Sequence, residues 1–142
     1  MVGVLSGAEG KIGDTLSGEP SSEDFIAEVD GVCREFAERT GDGRLSGETV
    51  GEQLASFETA HDAIQEALAE LERIEAPEEL EVKYRQFIEA ERDFDALIVR
   101  IAEYLASGDI ERGQAIVPLL QESVARRASI AEDIGFAECG GT

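Results

Sequence analysis

The fold is decided by the stretch VGEQLASFETAHDAIQEALAEL, which occupies residues 50–71. Its seam positions follow one another in alternating steps of four and three, so they form a single stripe along an α-helix. The stripe consists of Val50, Leu54, Phe57, His61, Ile64, Leu68 and Leu71. This pattern predicts an amphipathic helix over about 47–75 that carries one histidine, His61, on its buried face.

The same periodicity continues in the stretch LEVKYRQFIEAERDFDALIVRIAEYL, which occupies residues 80–105. Its seam consists of Leu80, Tyr84, Phe87, Glu91, Phe94, Ile98, Ile101 and Leu105. The pattern predicts a third helix over about 77–107, with Pro77 at its first position, where a missing backbone N–H costs nothing. One acidic residue, Glu91, lies on its buried face.

Two further segments have the three- and four-residue spacing of apolar residues that is typical of helices. The first runs from about 22 to 39, and the last runs from about 109 to 134. The last segment contains Pro118, and an internal proline is expected to kink the helix or break it near Val117.

The four segments together predict an all-α protein, because no part of the chain shows the two-residue alternation of a strand. Short second and third connections favour antiparallel neighbours, so we expect an antiparallel up-down four-helix bundle over residues 22–142. Residues 1–21 are rich in glycine and serine and lack periodicity, which is typical of a flexible tail or tether.

The net charge narrows the classes of partner. The chain has 142 residues, 32 of them acidic and 12 basic, which gives a formal net charge of −20. This balance argues against binding nucleic acid through phosphate neutralisation, which needs a basic face. No apolar run approaches the roughly 18 residues of a transmembrane helix. The acidic surface would attract cations and basic partners, although solubility alone is the simpler interpretation.

The polar residues of the two seams are expected to meet. His61 lies fifteen residues before a turn centred near Ala76, and Glu91 lies fifteen residues after it. In an antiparallel arrangement they share one level, and Arg127 of the last helix falls near the same height. We therefore predict a polar core layer of His61, Glu91 and Arg127, in which the preferred interpretation is a satisfied hydrogen-bond network.

A ligand site is the alternative interpretation of this layer. Glu58 and His61 have the Glu-x-x-His spacing that di-iron bundles use twice, together with two further glutamates. Glu58, His61 and Glu91 would be half of such a set, and the chain has one histidine only. A divalent metal or iron is therefore the alternative, and no cofactor is the preferred expectation. Because no Gly-x-Ser-x-Gly elbow or phosphate-binding loop accompanies these residues, we expect a protein without enzymatic activity.

The chain has two cysteines, Cys33 and Cys139, and their positions leave two possibilities open. They are either small buried thiols of a cytosolic protein or the two halves of a disulfide that joins the ends of the domain.

Several short motifs carry a family resemblance. These are Val32-Cys33-Arg34, Ala76-Pro77-Glu78-Glu79-Leu80, Tyr84-Arg85-Gln86-Phe87, Gly108-Asp109 and Ile134-Gly135-Phe136-Ala137-Glu138-Cys139. With a cysteine in the first helix and one after the last, the chain resembles small, mostly uncharacterised secreted or lipid-anchored helical-bundle proteins of actinobacteria. The resemblance implies a bundle closed by a Cys33–Cys139 disulfide outside the cytoplasm, and it implies no catalytic residues.

The resulting functional hypothesis is a non-enzymatic, extracytoplasmic interaction module that binds an unknown protein partner. Residues 1–10 contain no signal peptide and no lipid-attachment cysteine precedes the domain, so export requires a signal that has been removed. Without one, the protein is a cytoplasmic acidic adaptor with reduced cysteines. The alternative function is a metal- or small-ligand-binding bundle that uses Glu58, His61 and Glu91.

Overall fold

The computed structural model describes residues 21–40 and 48–139, and this part of the chain contains helices and no strand. The α-helices are α1 (Ser22–Arg39), α2 (Val50–Arg73), α3 (Glu81–Ala106) and α4 (Ile110–Ile134), and a 3-10 helix (Glu78–Leu80) precedes α3. The predicted all-α class is confirmed for these residues. The predicted tail lies, except for Ser21, outside the described residues.

Side-chain caps determine where the helices begin. In α1 the Ser21 side chain accepts a hydrogen bond from the backbone N–H of Asp24. In α2 the Thr49 side chain and Glu52 form a reciprocal capping box, which starts this helix three residues later than the predicted position 47. In α4 Asp109 accepts from the backbone N–H of Arg112. Each cap supplies an acceptor to a backbone N–H that has no partner within the helix.

Pro77 does not begin α3, contrary to the prediction. It has φ −59° and ψ 152°, which is extended backbone, and it precedes the 3-10 helix. The fixed φ of proline suits a helical N1 position and an extended residue equally well. The value of ψ therefore decides between the two conformations, and at Pro77 it is that of extended backbone. The backbone N–H of Leu80 donates to the Pro77 carbonyl at 2.9 Å, and α3 begins only at Glu81.

Pro118 lies inside α4, and the predicted break near Val117 does not occur, since the helix continues to Ile134. The proline removes one hydrogen bond, that of the Gln114 carbonyl. Gln114 and Pro118 are both exposed, so water can satisfy this carbonyl. The cost of the proline is therefore smaller than it would be on the buried face.

An aromatic cluster fills the end of the core near the 3-10 helix. Phe25 of α1 meets the Tyr84 ring edge-on at a centroid distance of 4.9 Å, and Phe136 lies 5.3 Å from Phe87. The Tyr84 hydroxyl donates to the Leu71 carbonyl at 2.5 Å. Burial, and secondarily the nearby charge of Glu28, raises the pKa of Tyr84. The hydroxyl therefore remains a neutral donor that links α3 to α2.

Helices that follow one another in the chain contact one another: α1 with α2, α2 with α3, and α3 with α4. A disulfide joins Cys33 of α1 to Cys139, with a Cα–Cα distance of 5.1 Å. The disulfide that the family resemblance implied is thus confirmed. Asp30 reinforces it by accepting from the backbone N–H groups of Ala137 and Glu138 at 3.3 and 3.0 Å.

Within the described ranges, no helix combines the length and the apolar character that crossing a membrane requires. The helices instead bury one face each. Buried residues recur every three or four positions along α3 and the second half of α2, as their seams predicted. The first half of the α2 seam departs from the prediction, because Val50 is 44% exposed and Leu54, Phe57 and His61 are only partly buried.

Candidate functional site: a charged layer in the core

Glu91 of α3 and Arg127 of α4 form an ion pair inside the core. The Arg127 Nη1 atom lies 3.1 Å from Glu91 Oε1, and both side chains are 10% exposed. The guanidinium carbon of Arg127 also lies 4.5 Å from the centroid of the Phe94 ring, a distance typical of a cation–π contact. The Nε atom of Arg127 is buried and has no hydrogen-bond partner among the described residues.

The electrostatics of Glu91 are dominated by burial. Removal from water raises the pKa of its carboxyl, the charge and hydrogen bond of Arg127 oppose this rise, and the charge of Asp95 adds to it. The net direction is upward. A buried carboxylate with one single-contact partner keeps part of its desolvation cost, which explains why the ion pair does not outweigh burial.

His61 of α2 is bound by an aspartate of α3 that the sequence interpretation missed. Its Nδ1 atom lies 2.8 Å and 3.0 Å from the two carboxylate oxygens of Asp95. Gln65 Nε2 donates to the same carboxylate at 2.8 Å. The Asp95 side chain is 8% exposed, whereas that of His61 is 39% exposed. A solvent-accessible imidazole is therefore held by a buried carboxylate that also accepts a hydrogen bond from Gln65.

Asp95, the partner of His61, lies one helical turn beyond Glu91 on α3. Glu91 is the residue that the sequence interpretation placed at the level of His61. His61 and Asp95 are equidistant from Glu78, whereas the sequence interpretation centred the turn near Ala76. The 3-10 helix and the extended Pro77 place the connection two residues further along the chain. A shift of two residues at the turn moves the facing position on α3 by four, which is one turn. Asp95 was recognisable in principle, because it follows Glu91 by four residues and shares its face.

The candidate metal ligands are not assembled as a group. Glu58 is exposed and Glu91 is buried against Arg127. Among residues 21–40 and 48–139, no three or more histidine, cysteine, aspartate or glutamate side chains are grouped so that they could hold a metal ion. What the layer offers instead is an oriented imidazole. A proton on Nδ1 directed at Asp95 leaves Nε2 as the ring nitrogen available to a proton or a ligand.

Two grooves lie on either side of α2. One, of about 370 Å³, lies between α2 and α3 and is lined by Gln65, Asp95 and the ion pair of Glu72 with Arg92. The other, of about 570 Å³, lies between α1 and α2. It is lined by Gly31, Val32 and Ile74 and by charged side chains of both helices. The second groove is the larger open surface feature of the two.

Comparison with known proteins identifies no relative. No family model, no curated protein and no solved structure matches this chain. The resemblance to secreted or lipid-anchored actinobacterial proteins therefore stays a prediction that rests on short motifs. Function is inferred from the residues and contacts of this chain alone.

Proposed function

We propose that the protein is a non-enzymatic interaction module that works outside the cytoplasm and presents the surface of a disulfide-closed bundle to a protein partner. The observation that carries the proposal is the Cys33–Cys139 disulfide, which joins α1 to the residues that follow α4. Disulfides persist in oxidising compartments and are rare in the cytosol. Closing a loop of this size is worth at most about 4–5 kcal/mol in the chain-entropy model.

The proposal includes an antiparallel up-down arrangement of the four helices. In the contacts that support it, a residue near the end of one helix meets a residue near the start of the next helix. Residues further back in the first of these two helices meet residues further along the second. They are Leu71 with Tyr84 and His61 with Asp95 between α2 and α3, and Glu91 with Arg127 between α3 and α4. Gly113 of α4 also lies so near Tyr104 of α3 that a Cβ atom built on it would be 3.6 Å from the Tyr104 Cβ atom. Opposed numbering of this kind is what antiparallel neighbours produce.

In this proposal the charged core layer has a positioning role. Ionic pairs inside a bundle can fix which levels of neighbouring helices face each other. The Glu91–Arg127 pair would do so for α3 and α4, and the His61–Asp95 pair would do so for α2 and α3. Both pairs lie within one turn of each other on α3, so a sliding of either neighbour would leave a buried charge without its partner.

The test is the oxidation state of the cysteines in the protein's own compartment. Cells would be quenched in acid, free thiols alkylated, and the protein isolated under denaturing conditions for mass spectrometry. We expect neither Cys33 nor Cys139 to be alkylated before reduction and both to be alkylated after it. Alkylation of both residues without reduction would refute an extracytoplasmic, disulfide-closed module.

A second candidate function is the binding of a divalent metal or a small ligand at His61, with Glu58 from the preceding turn as a further ligand. The observation that favours it is the orientation of the imidazole by Asp95, since metal-binding histidines commonly donate their other N–H to a carboxylate. A zinc titration followed by calorimetry tests it. Stoichiometric binding that His61→Ala abolishes would support this function, and equal weak binding by both proteins would reject it.

A further inference from the structure

We infer that the α1–α2 groove, which is lined by Gly31, Val32, Ile74 and the charged side chains around them, binds a basic segment of a partner protein. The groove has a volume of about 570 Å³, which lies in the range of ligand-binding clefts. It is open along the surface, so it suits a chain segment better than an enclosed small molecule. This inference rests on the proposed function and names the surface that performs it.

The first argument is a glycine that the packing of the chain does not require. Gly31 lies in the middle of α1, where glycine costs roughly 0.5–1 kcal/mol relative to alanine. A Cβ atom built at this position meets nothing within 4 Å. No atom of the described residues therefore excludes a Cβ atom here. The missing side chain instead leaves the groove open at this position, next to the apolar Val32 and Ile74.

The second argument is a set of charged side chains that form no ion pair with any other described residue. Glu28, Glu35 and Glu38 of α1 and Glu70 of α2 line the groove together with two arginines, which gives the lining a net charge of −2. Within the described part of the chain, none of these six side chains forms an ion pair, although the neighbouring Arg39 pairs with Glu66 at 2.7 Å. Their charges remain available to an incoming chain.

The charge of the groove and of the whole protein selects the class of partner. A net charge of −20 repels acidic chains and nucleic acids and accelerates the approach of basic ones. An apolar side chain in the middle of the segment suits Val32 and Ile74, and lysine or arginine on either side of it suits a lining in which four glutamates outnumber two arginines. An amphipathic helix with leucine on one face and lysine flanking it has this chemistry.

The experiment is a ¹⁵N-HSQC titration of the full-length oxidised protein with a defined probe. The probe is a synthetic amphipathic helical peptide of leucine and lysine, and the control peptide has glutamate in place of every lysine. We expect saturable shifts centred on Gly31, Val32 and Ile74 with the lysine peptide, and no shifts with the glutamate peptide. Added salt should weaken the binding, because its charge contacts are exposed.

Matched variants separate the groove from general acidity. Gly31→Leu fills the groove at this position and should weaken binding about tenfold. Gly51→Leu should not, because it lies at another helical glycine, where an added Cβ atom makes only an ordinary contact with the Thr49 side chain at 3.9 Å. Glu35→Lys should weaken binding more than Glu122→Lys, which changes the net charge equally on α4. Circular dichroism verifies that each variant keeps its helical content.

Two outcomes would overturn the inference. One is that shifts spread over the acidic surface and respond equally to Glu35→Lys and Glu122→Lys. The other is that Gly31→Leu binds the lysine peptide as tightly as the unaltered protein. Either result removes the groove as the docking site and leaves the proposed function standing, since that depends on the oxidation state of Cys33 and Cys139.

Discussion

The imidazole of His61 lies 2.8 Å from a carboxylate oxygen of Asp95, and Asp95 in turn lies one helical turn from the buried Glu91, whose partner is Arg127. A histidine–carboxylate hydrogen bond and an ion pair, contributed by three helices, thus occupy adjacent levels of one core. His61, at one end of this set, is partly exposed, whereas Arg127, at the other end, is almost fully buried. In the proposed function these two contacts fix one register between α2, α3 and α4.

Removing only one member of the innermost pair should be strongly destabilising. Arg127→Met leaves Glu91 buried without its counter-charge, so we expect a loss of about 3–5 kcal/mol in the free energy of unfolding. Replacing both residues, as Glu91→Leu with Arg127→Met, should restore most of this loss, because an apolar pair has no charge to desolvate. Urea unfolding of the two single variants and the double variant measures the coupling. Additive losses would show that the pair does not interact.

The stability contribution of Glu91 should fall as pH rises. Burial raises the pKa of Glu91 in the folded state above its unfolded value, so the folded state binds the proton more tightly. This contribution is fully present below the unfolded pKa and is lost as pH rises through the folded pKa. The difference in unfolding free energy between the unaltered protein and Glu91→Gln should therefore decrease from pH 4 upward. An increase over the same range would mean that the attraction of Arg127 outweighs burial.

The His61–Asp95 pair should contribute less than the inner pair. His61→Ala leaves the Asp95 carboxylate with the hydrogen bond from Gln65, so we expect a loss of roughly 1–3 kcal/mol. Asp95→Asn keeps the size of the side chain and removes its charge, and it should cost a similar amount. Thermal unfolding at pH 7 compares the two variants. Losses below 0.5 kcal/mol in both would show that the pair is too exposed to matter.

Replacing both cysteines by serine should lower the free energy of unfolding by about 2–5 kcal/mol. The disulfide and Asp30 hold the residues after α4 against α1, so the loss should appear first as faster hydrogen exchange at Ala137 and Glu138. Reduction of the unaltered protein with a phosphine serves as the control and should give the same exchange pattern. Unchanged exchange in both would indicate that Asp30 alone holds this segment.

Replacement by alanine should raise the stability of the protein at Gly31 and lower it at Gly108 and Gly135. Gly31→Ala adds a Cβ atom in open space and should stabilise α1 by about 0.5–1 kcal/mol. Gly108 and Gly135 have φ values of +81° and +108°, and alanine there should destabilise the protein. Chemical denaturation of the three variants tests the contrast. Destabilisation by Gly31→Ala would mean that the position is constrained inside the fold and not by a partner.

The periodic parts of the fold were predictable from the sequence, and its junctions were not. The seams of α2 and α3 have strict four- and three-residue steps, which only a helix satisfies, so their helical type followed directly. The buried face followed for α3 and the second half of α2, whereas Val50 at the start of the α2 seam is exposed. The start of α3 did not, because Pro77 fits both an extended residue and a helical first position. The continuity of α4 through Pro118 depends on whether the Gln114 carbonyl, which the proline leaves without a hydrogen bond, faces water or the core. In the folded helix it lies on the exposed face, and this position could not be read from the sequence.

The candidate site was predictable to within one turn. Glu91 and Arg127 were expected near each other from turn positions alone, and they form an ion pair. The partner of His61 was missed because the 3-10 helix shifts the facing position on α3. The α1–α2 groove had no precursor in the sequence interpretation, since it depends on where Gly31 lies relative to α2.

Native mass spectrometry of the intact protein, purified without reductant or chelator, tests the central claim most directly. The proposal predicts a mass two hydrogen atoms below the sequence value, owing to the Cys33–Cys139 disulfide, with no stoichiometric adduct. A mass equal to the sequence value would contradict the disulfide-closed module. A bound metal or organic molecule that His61→Ala removes would contradict it as well, and would assign the protein to ligand binding at the His61–Asp95 pair.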